Sequence, residues 1–250
     1  MQKLSGKTAL ITGGNSGIGL ATAKLFVEQG ARVAITGRDT TSLEQARASL
    51  GSDVLALRSD AGKVNEIDQL MASIGEHFGQ LDVLFLNAAA GNPAPIELTT
   101  EEQFDAMSAI SFKGVFFAIQ KAAPLMRQGG SIIVTTSITN QVGAPNFAVY
   151  AACKAAARSL VQTASLELAG RGIRVNAISP GPIDTPGFGR WDVPQEVVEA
   201  ARTEFTNRSP SKRFGTAHEV AEAALYLASD ASTYVVGAEL VIDGGISLLM

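Results

Sequence analysis

Two patterns of apolar residues alternate along the chain. Short continuous runs stand at Thr8–Thr12, Arg32–Thr36, Val54–Leu57, Leu81–Leu86, Ser131–Thr135, Arg174–Ile178 and Glu239–Ile242. Their length and unbroken apolar character predict strands buried on both faces. Between them lie longer stretches with apolar residues every three to four positions, which predict helices. These are Leu20 to Phe26, Lys63–Phe78, a long region from Thr100 to Met126 weakly interrupted by Gly114, Phe147–Ala169, and Glu219–Leu227. Thr41-x-x-Glu44 reads as a capping box that opens a further helix after the second strand. Strands alternating with helices imply right-handed crossovers. The expected fold is α/β: one doubly wound domain over residues 1–250, its seven-stranded parallel sheet covered by helices on both faces. Residues 187–215 break the pattern, with Trp191 and a short helical stretch over Pro194–Phe205, and are the candidate substrate lid.

Composition narrows the function classes. A chain of 250 residues with 46% hydrophobic and 18% charged residues suits an ordinary enzyme domain with a sizeable core. A net charge of −4 without a basic cluster argues against a nucleic-acid partner. The single cysteine, Cys153, excludes an intramolecular disulfide. No apolar run reaches the ~18 residues of a membrane span. The first residues carry no signal-peptide pattern, so a cytoplasmic location is expected. No metal-ligand spacing is present, and no metal is expected. The apolar tail Ile246–Met250 suggests burial against another subunit.

Chemistry enters at the carboxyl ends of the strands, where open parallel sheets bind ligands. After the first strand comes Gly13-Gly14-Asn15-Ser16-Gly17-Ile18-Gly19, and then a helix. Strand, glycine loop and helix seat a phosphate on free N–H groups at the positive end of a helix dipole. The second strand ends at Gly37-Arg38. An acidic side chain there would bind the ribose 2′-hydroxyl of NAD, whereas a guanidinium suits a 2′-phosphate. The position therefore favours NADP(H) over NAD(H). The alternative is that Arg38 is a solvated loop residue and Asp39 a helix cap. The fourth strand ends in Asn87-Ala88-Ala89-Ala90-Gly91, small residues that let backbone approach a ligand, and the fifth ends just before Ser137. Tyr150 and Lys154 lie four apart on a predicted helix, hence on one face. A cation beside a phenol lowers its pKa toward the range where it can exchange a proton with a carbonyl oxygen. Alone, this pair is a weak signal.

Together these motifs resemble the short-chain dehydrogenase/reductase family along essentially the whole chain, and with it a Rossmann domain. Thr12-Gly13-x-x-x-Gly17-Ile18-Gly19 is similar to the family's coenzyme loop, and Asn87-Ala88 to the core of its Asn-Asn-Ala-Gly motif. Leu86 and Ala89 depart from that motif. Asp60 matches the acidic residue beside the adenine. Asn176, Pro180, Gly181 and Thr185 match the stretch that closes over the nicotinamide, which also contains Ile183. Ser137, Tyr150 and Lys154 match the catalytic serine, tyrosine and lysine. The resemblance implies hydride transfer between NADP(H) and a ketone or secondary alcohol, with Tyr150 exchanging the proton, Ser137 polarising the oxygen, and Lys154 tuning the tyrosine and binding the ribose. It also implies a homo-oligomer, commonly a tetramer. One departure touches the mechanism: Ser111 stands where the family commonly has an asparagine that supports a proton relay behind the lysine. A non-catalytic, nucleotide-binding regulatory member of the fold is the competing reading.

Overall fold

The computed structural model describes residues 2–189 and 193–249. Seven strands form one parallel sheet: β1 (Thr8–Thr12), β2 (Arg32–Gly37), β3 (Leu55–Arg58), β4 (Leu81–Leu86), β5 (Met126–Thr135), β6 (Arg174–Pro180) and β7 (Glu239–Ile242). Their order is β3-β2-β1-β4-β5-β6-β7. The chain winds outward from β1 to β3, then crosses to β4 on the other side of β1. The order therefore reverses between β1 and β4, where a crevice opens. Register fixes the strand ends that meet there, with Thr12 opposite Thr36 of β2 and Leu86 of β4.

Because the inner strands are apolar on both faces, the sheet feeds two cores, while the edge strand β7 leaves Leu240 and Val241 exposed. Ala9, Ile11, Ile35 and Phe85 pack with Phe26 of helix α1 (Gly17–Glu28), Leu43 of α2 (Thr40–Leu50) and Leu225 of α8 (Ala217–Ala228). Leu10, Leu84, Ile132 and Val134 point the other way, against Ile74 of α3 (Val64–Phe78), Ile119 of α5 (Gly114–Ala122) and Val161 of α6 (Ala148–Ala169).

Three local expectations change. The third strand begins at Leu55, one residue later than expected. Helix α2 is capped by Asp39, whose carboxylate accepts from the Ser42 amide at 2.8 Å, and not by Thr41. Aspartate caps better than threonine, and Glu44 turns instead to Arg47 at 3.0 Å. The long helix from Thr100 opens on a capping box with Gln103, but it is not continuous. Between α4 (Glu101–Ser108) and α5 lies a wide π-helical turn, Ala109–Lys113. Gly114 ends it, and a Cβ there would lie 1.9 Å from the Ala61 carbonyl oxygen. A second capping box, Thr216 with Glu219, starts α8.

Residues 187–215 contain a 3-10 turn and helix α7 (Gln195–Arg208), of which only Val198 is buried. Arg202 holds this segment to the body. It pairs with Asp184 at 2.9 Å and stacks over the rings of Phe188 and Phe214 at 5.4 and 4.6 Å. Trp191 lies outside the described residues.

Candidate active site

A cleft of about 740 Å³ runs along the carboxyl ends of the strands. Its first wall is the glycine loop. Gly13 and Gly17 have φ of +64° and +52°, values an L side chain resists. Gly19 faces away from the cleft; a Cβ there would strike the Gly13 carbonyl oxygen at 2.2 Å, so it lets the helix pack on the loop. Ser16 precedes α1 with an extended backbone and makes no side-chain cap bond. The first N–H groups of α1 thus open toward the cleft lined by Ser16, Gly17 and Ile18.

The next wall comes from β2 and β3. Asn15 lies over Gly37, where a Cβ would meet its side chain at 2.8 Å, and donates to Ser42 Oγ at 2.9 Å. Arg38 is exposed at the cleft rim, and it forms no ion pair among the described residues. The Asp60 carboxylate accepts from the Gly62 amide at 2.9 Å. Beside it the buried Ser59 hydroxyl has no hydrogen-bond partner among the described residues and lines the cleft. Asn87 ties β4 to the glycine loop through Thr12 and Gly13, by bonds of 3.0 to 3.4 Å.

Ser137, Tyr150 and Lys154 meet at the far end. Ser137 starts a 3-10 turn, and its hydroxyl accepts from the Thr139 amide at 3.3 Å. Tyr150 stands at the start of α6, its ring against Gly91, where a Cβ would approach it to 3.1 Å. Burial raises the Tyr150 pKa, and a hydrogen bond with Ser137 lowers it in part. Lys154 is only 2% exposed and donates from Nζ to the Thr135 carbonyl at 2.7 Å. Burial lowers its pKa to about 8. Its Nζ is 5.6 Å from the Tyr150 ring centroid. The expected lowering of the tyrosine by Lys154 is thus not the governing effect in this geometry; burial is. Pro180, Gly181, Ile183 and Thr185 line the cleft beside this end.

Ser111 does not line the cleft. It is fully buried in the π turn, where its hydroxyl donates to the Ala90 carbonyl at 3.1 Å and accepts from the Ala90 amide at 3.3 Å. It therefore clamps the loop after β4. Asn176 also stays outside, linking β6 to the backbone of Val235 and Ala238. Among the lining residues that carry no motif are Ala144, Phe147, Phe188 and Phe205. The last two fall within the candidate lid, but periodicity gave no sign that they face inward.

A family profile described as enoyl-(acyl carrier protein) reductase matches residues 13–247. The oxidoreductase asL5 of Sarocladium schorii is 40% identical over 99% of this chain and 98% of its own length. This chain belongs to the short-chain dehydrogenase/reductase family. The 3-oxoacyl-(acyl-carrier-protein) reductase FabG of Thermotoga maritima is 37% identical to this short-chain dehydrogenase/reductase, over 98% of this chain and 99% of its own. The crystal structure of levodione reductase superposes with a TM-score of 0.93 at 33% identity, covering 99% of this chain and all of the other. This short-chain dehydrogenase/reductase is an oxidoreductase of the same fold.

Proposed function

We propose that the protein interconverts a neutral, apolar ketone and its secondary alcohol with NADP(H). One observation carries the reading: a phenol, a hydroxyl and an ammonium converge at one end of a cleft whose other end presents a glycine loop and an arginine without an ion pair among the described residues. The loop, the Arg38 guanidinium and the unpartnered Ser59 hydroxyl suit a dinucleotide bearing a 2′-phosphate. The nicotinamide would supply the hydride.

The chain's own groups handle the proton. Tyr150 donates it to the carbonyl oxygen in reduction and takes it back in oxidation. Ser137 donates to the same oxygen and stabilises the charge that develops there. Lys154, fixed through Thr135, brings its positive charge near the phenol as Tyr150 loses its proton. Around this end stand Ile138, Ala144, Phe147, Phe188 and Phe205, and among the described residues the charged side chains lining the cleft are Lys154 here and Arg38, Asp39 and Asp60 by the glycine loop. An apolar lining binds a neutral carbonyl compound better than an anionic one, since a carboxylate would lose its water without gaining a partner. The segment over 187–215, which contributes Phe188 and Phe205, serves as the lid.

A homo-oligomer is part of the same reading. Tyr226 on α8, Leu240 and Val241 on the edge strand β7, and Leu248 and Leu249 in the last turn expose apolar surface. The test is a panel of neutral and carboxylate-bearing ketones with NADPH and NADH. Faster turnover of neutral ketones with NADPH is expected. Cofactor binding without turnover of any ketone would instead support the regulatory reading.

A further inference from the structure

We propose that Glu239 positions Ser137 against Tyr150, a role that rests on the catalytic reading of those two residues. Glu239 opens the edge strand β7, yet its side chain is buried to 8% exposure. Its carboxylate gathers four donors. Oε1 accepts from Thr136 Oγ1 at 2.5 Å and from Asn140 Nδ2 at 2.6 Å. Oε2 accepts from Gln141 Nε2 at 2.7 Å and pairs with Arg158 Nε at 2.9 Å. Four donors fill the acceptor sites of a carboxylate.

The donors' places in the chain give the bonds their meaning. Thr136 immediately precedes Ser137, and Asn140 and Gln141 close the turn that Ser137 begins. The carboxylate therefore holds both ends of the serine's turn. Inside that turn the Ser137 hydroxyl is bound by the amide and hydroxyl of Thr139, so it moves as the turn moves. Arg158 lies on α6 four residues beyond Lys154 and eight beyond Tyr150, a spacing that keeps all three on one helix face. One side chain on a distant strand thus joins the serine's turn to the helix that bears the tyrosine. Strand pairing alone needs no carboxylate there: β7 pairs with β6 through backbone, with Ala177 opposite Glu239.

The experiment is a cycle with Glu239→Gln and Ser137→Ala. The amide keeps the shape but offers one acceptor oxygen, and its NH2 faces donors. In Glu239→Gln, kcat for ketone reduction should fall about ten- to a hundredfold, the effect of a misplacement on the order of 1 Å. The Kd for NADPH should stay within about twofold. In the Ser137→Ala background, Glu239→Gln should change kcat by less than about threefold, because the group it positions is gone. Losses that multiply in the double variant would refute positioning through Ser137. Hydrogen exchange of the amides of residues 136–141 provides an arm that needs no substrate. It should quicken in Glu239→Gln, and unchanged exchange overturns the proposal. Absence of turnover by the wild type would overturn the reductase reading and leave the exchange result to decide this one.

Discussion

Arg38→Ala tests the cofactor assignment most directly. The 2′-phosphate carries about −1.5 to −2 charges at neutral pH. A hydrogen bond to a charged group contributes about 1.5–3 kcal/mol. Arg38 is exposed, so solvent screening reduces this, and we take about 1–2 kcal/mol. At 1.4 kcal/mol per decade, kcat/KM for NADPH should fall roughly five- to thirtyfold. The value for NADH should stay within about twofold, since NADH has no phosphate at that position. Arg38→Lys should fall between, because an ammonium keeps the charge and loses the planar fork. Raising the salt from about 0.05 to 0.5 M should shrink the difference between wild type and Arg38→Ala. The neighbouring glycine adds a second constraint. Gly37→Asp would place the carboxylate where NAD-binding relatives of this fold bind the ribose, but its Cβ would meet Asn15 at 2.8 Å. That substitution alone should therefore lose NADPH activity without gaining NADH activity, because Asn15 also holds Ser42. Steady-state kinetics with both cofactors decides the matter. An unchanged KM for NADPH in Arg38→Ala would refute the reasoning.

Three further outcomes are expected. Tyr150→Phe should lower kcat about a hundred- to ten-thousandfold while the Kd for NADPH, read by fluorescence titration, changes little; retained turnover would remove Tyr150 from proton transfer. Lys154 has its pKa lowered to about 8 by burial, so between about pH 8 and 10.5 the unfolded state binds more protons than the folded state, and stability rises with pH across that window. Lys154→Met should therefore be more stable than wild type at pH 7, by on the order of 2–3 kcal/mol in urea unfolding, with the gap closing by about pH 10; a constant gap would contradict a charge effect. Gly114→Ala would force a methyl against the Ala61 carbonyl and should shift the urea midpoint down by at least about 1–3 kcal/mol equivalent with m unchanged, whereas a neutral result would show that the π turn can yield.

The inner strands were readable because burial on both faces leaves a continuous apolar run bounded by polar residues, and the edge strand β7 because it is apolar although half exposed. All seven begin or end within one residue of expectation on at least one side, and β5 differs in starting at Met126. The glycine loop was readable because only backbone can occupy its path. What escaped was set by contacts distant in sequence. A single π turn is set by which carbonyls the backbone bonds and not by residue type, so Ala109–Lys113 was not legible in the apolar pattern. Ser111 was legible only as standing in a motif's usual asparagine position, and the pattern could not show that its hydroxyl bonds the backbone of Ala90. Phe188 lies in a 3-10 turn and Phe205 on α7, and which way they face depends on packing with Arg202 and Phe214 that the local pattern does not show. Glu239 read as one polar residue in a strand, and nothing local announces that its four partners come from two other elements.

The attachment of α7 has a bearing on how the protein responds to its solvent. The two cores on either side of the sheet are apolar, and excluded salts such as sulfate strengthen them. Helix α7 buries only Val198 and depends on the ion pair and ring stacking of Arg202. The Arg202–Asp184 pair is partly exposed and weakens as ionic strength rises. Salt therefore acts in opposite senses on the body and on the segment over the cleft. The same solution that makes the molecule harder to melt loosens the segment that carries Phe188 and Phe205 to the cleft.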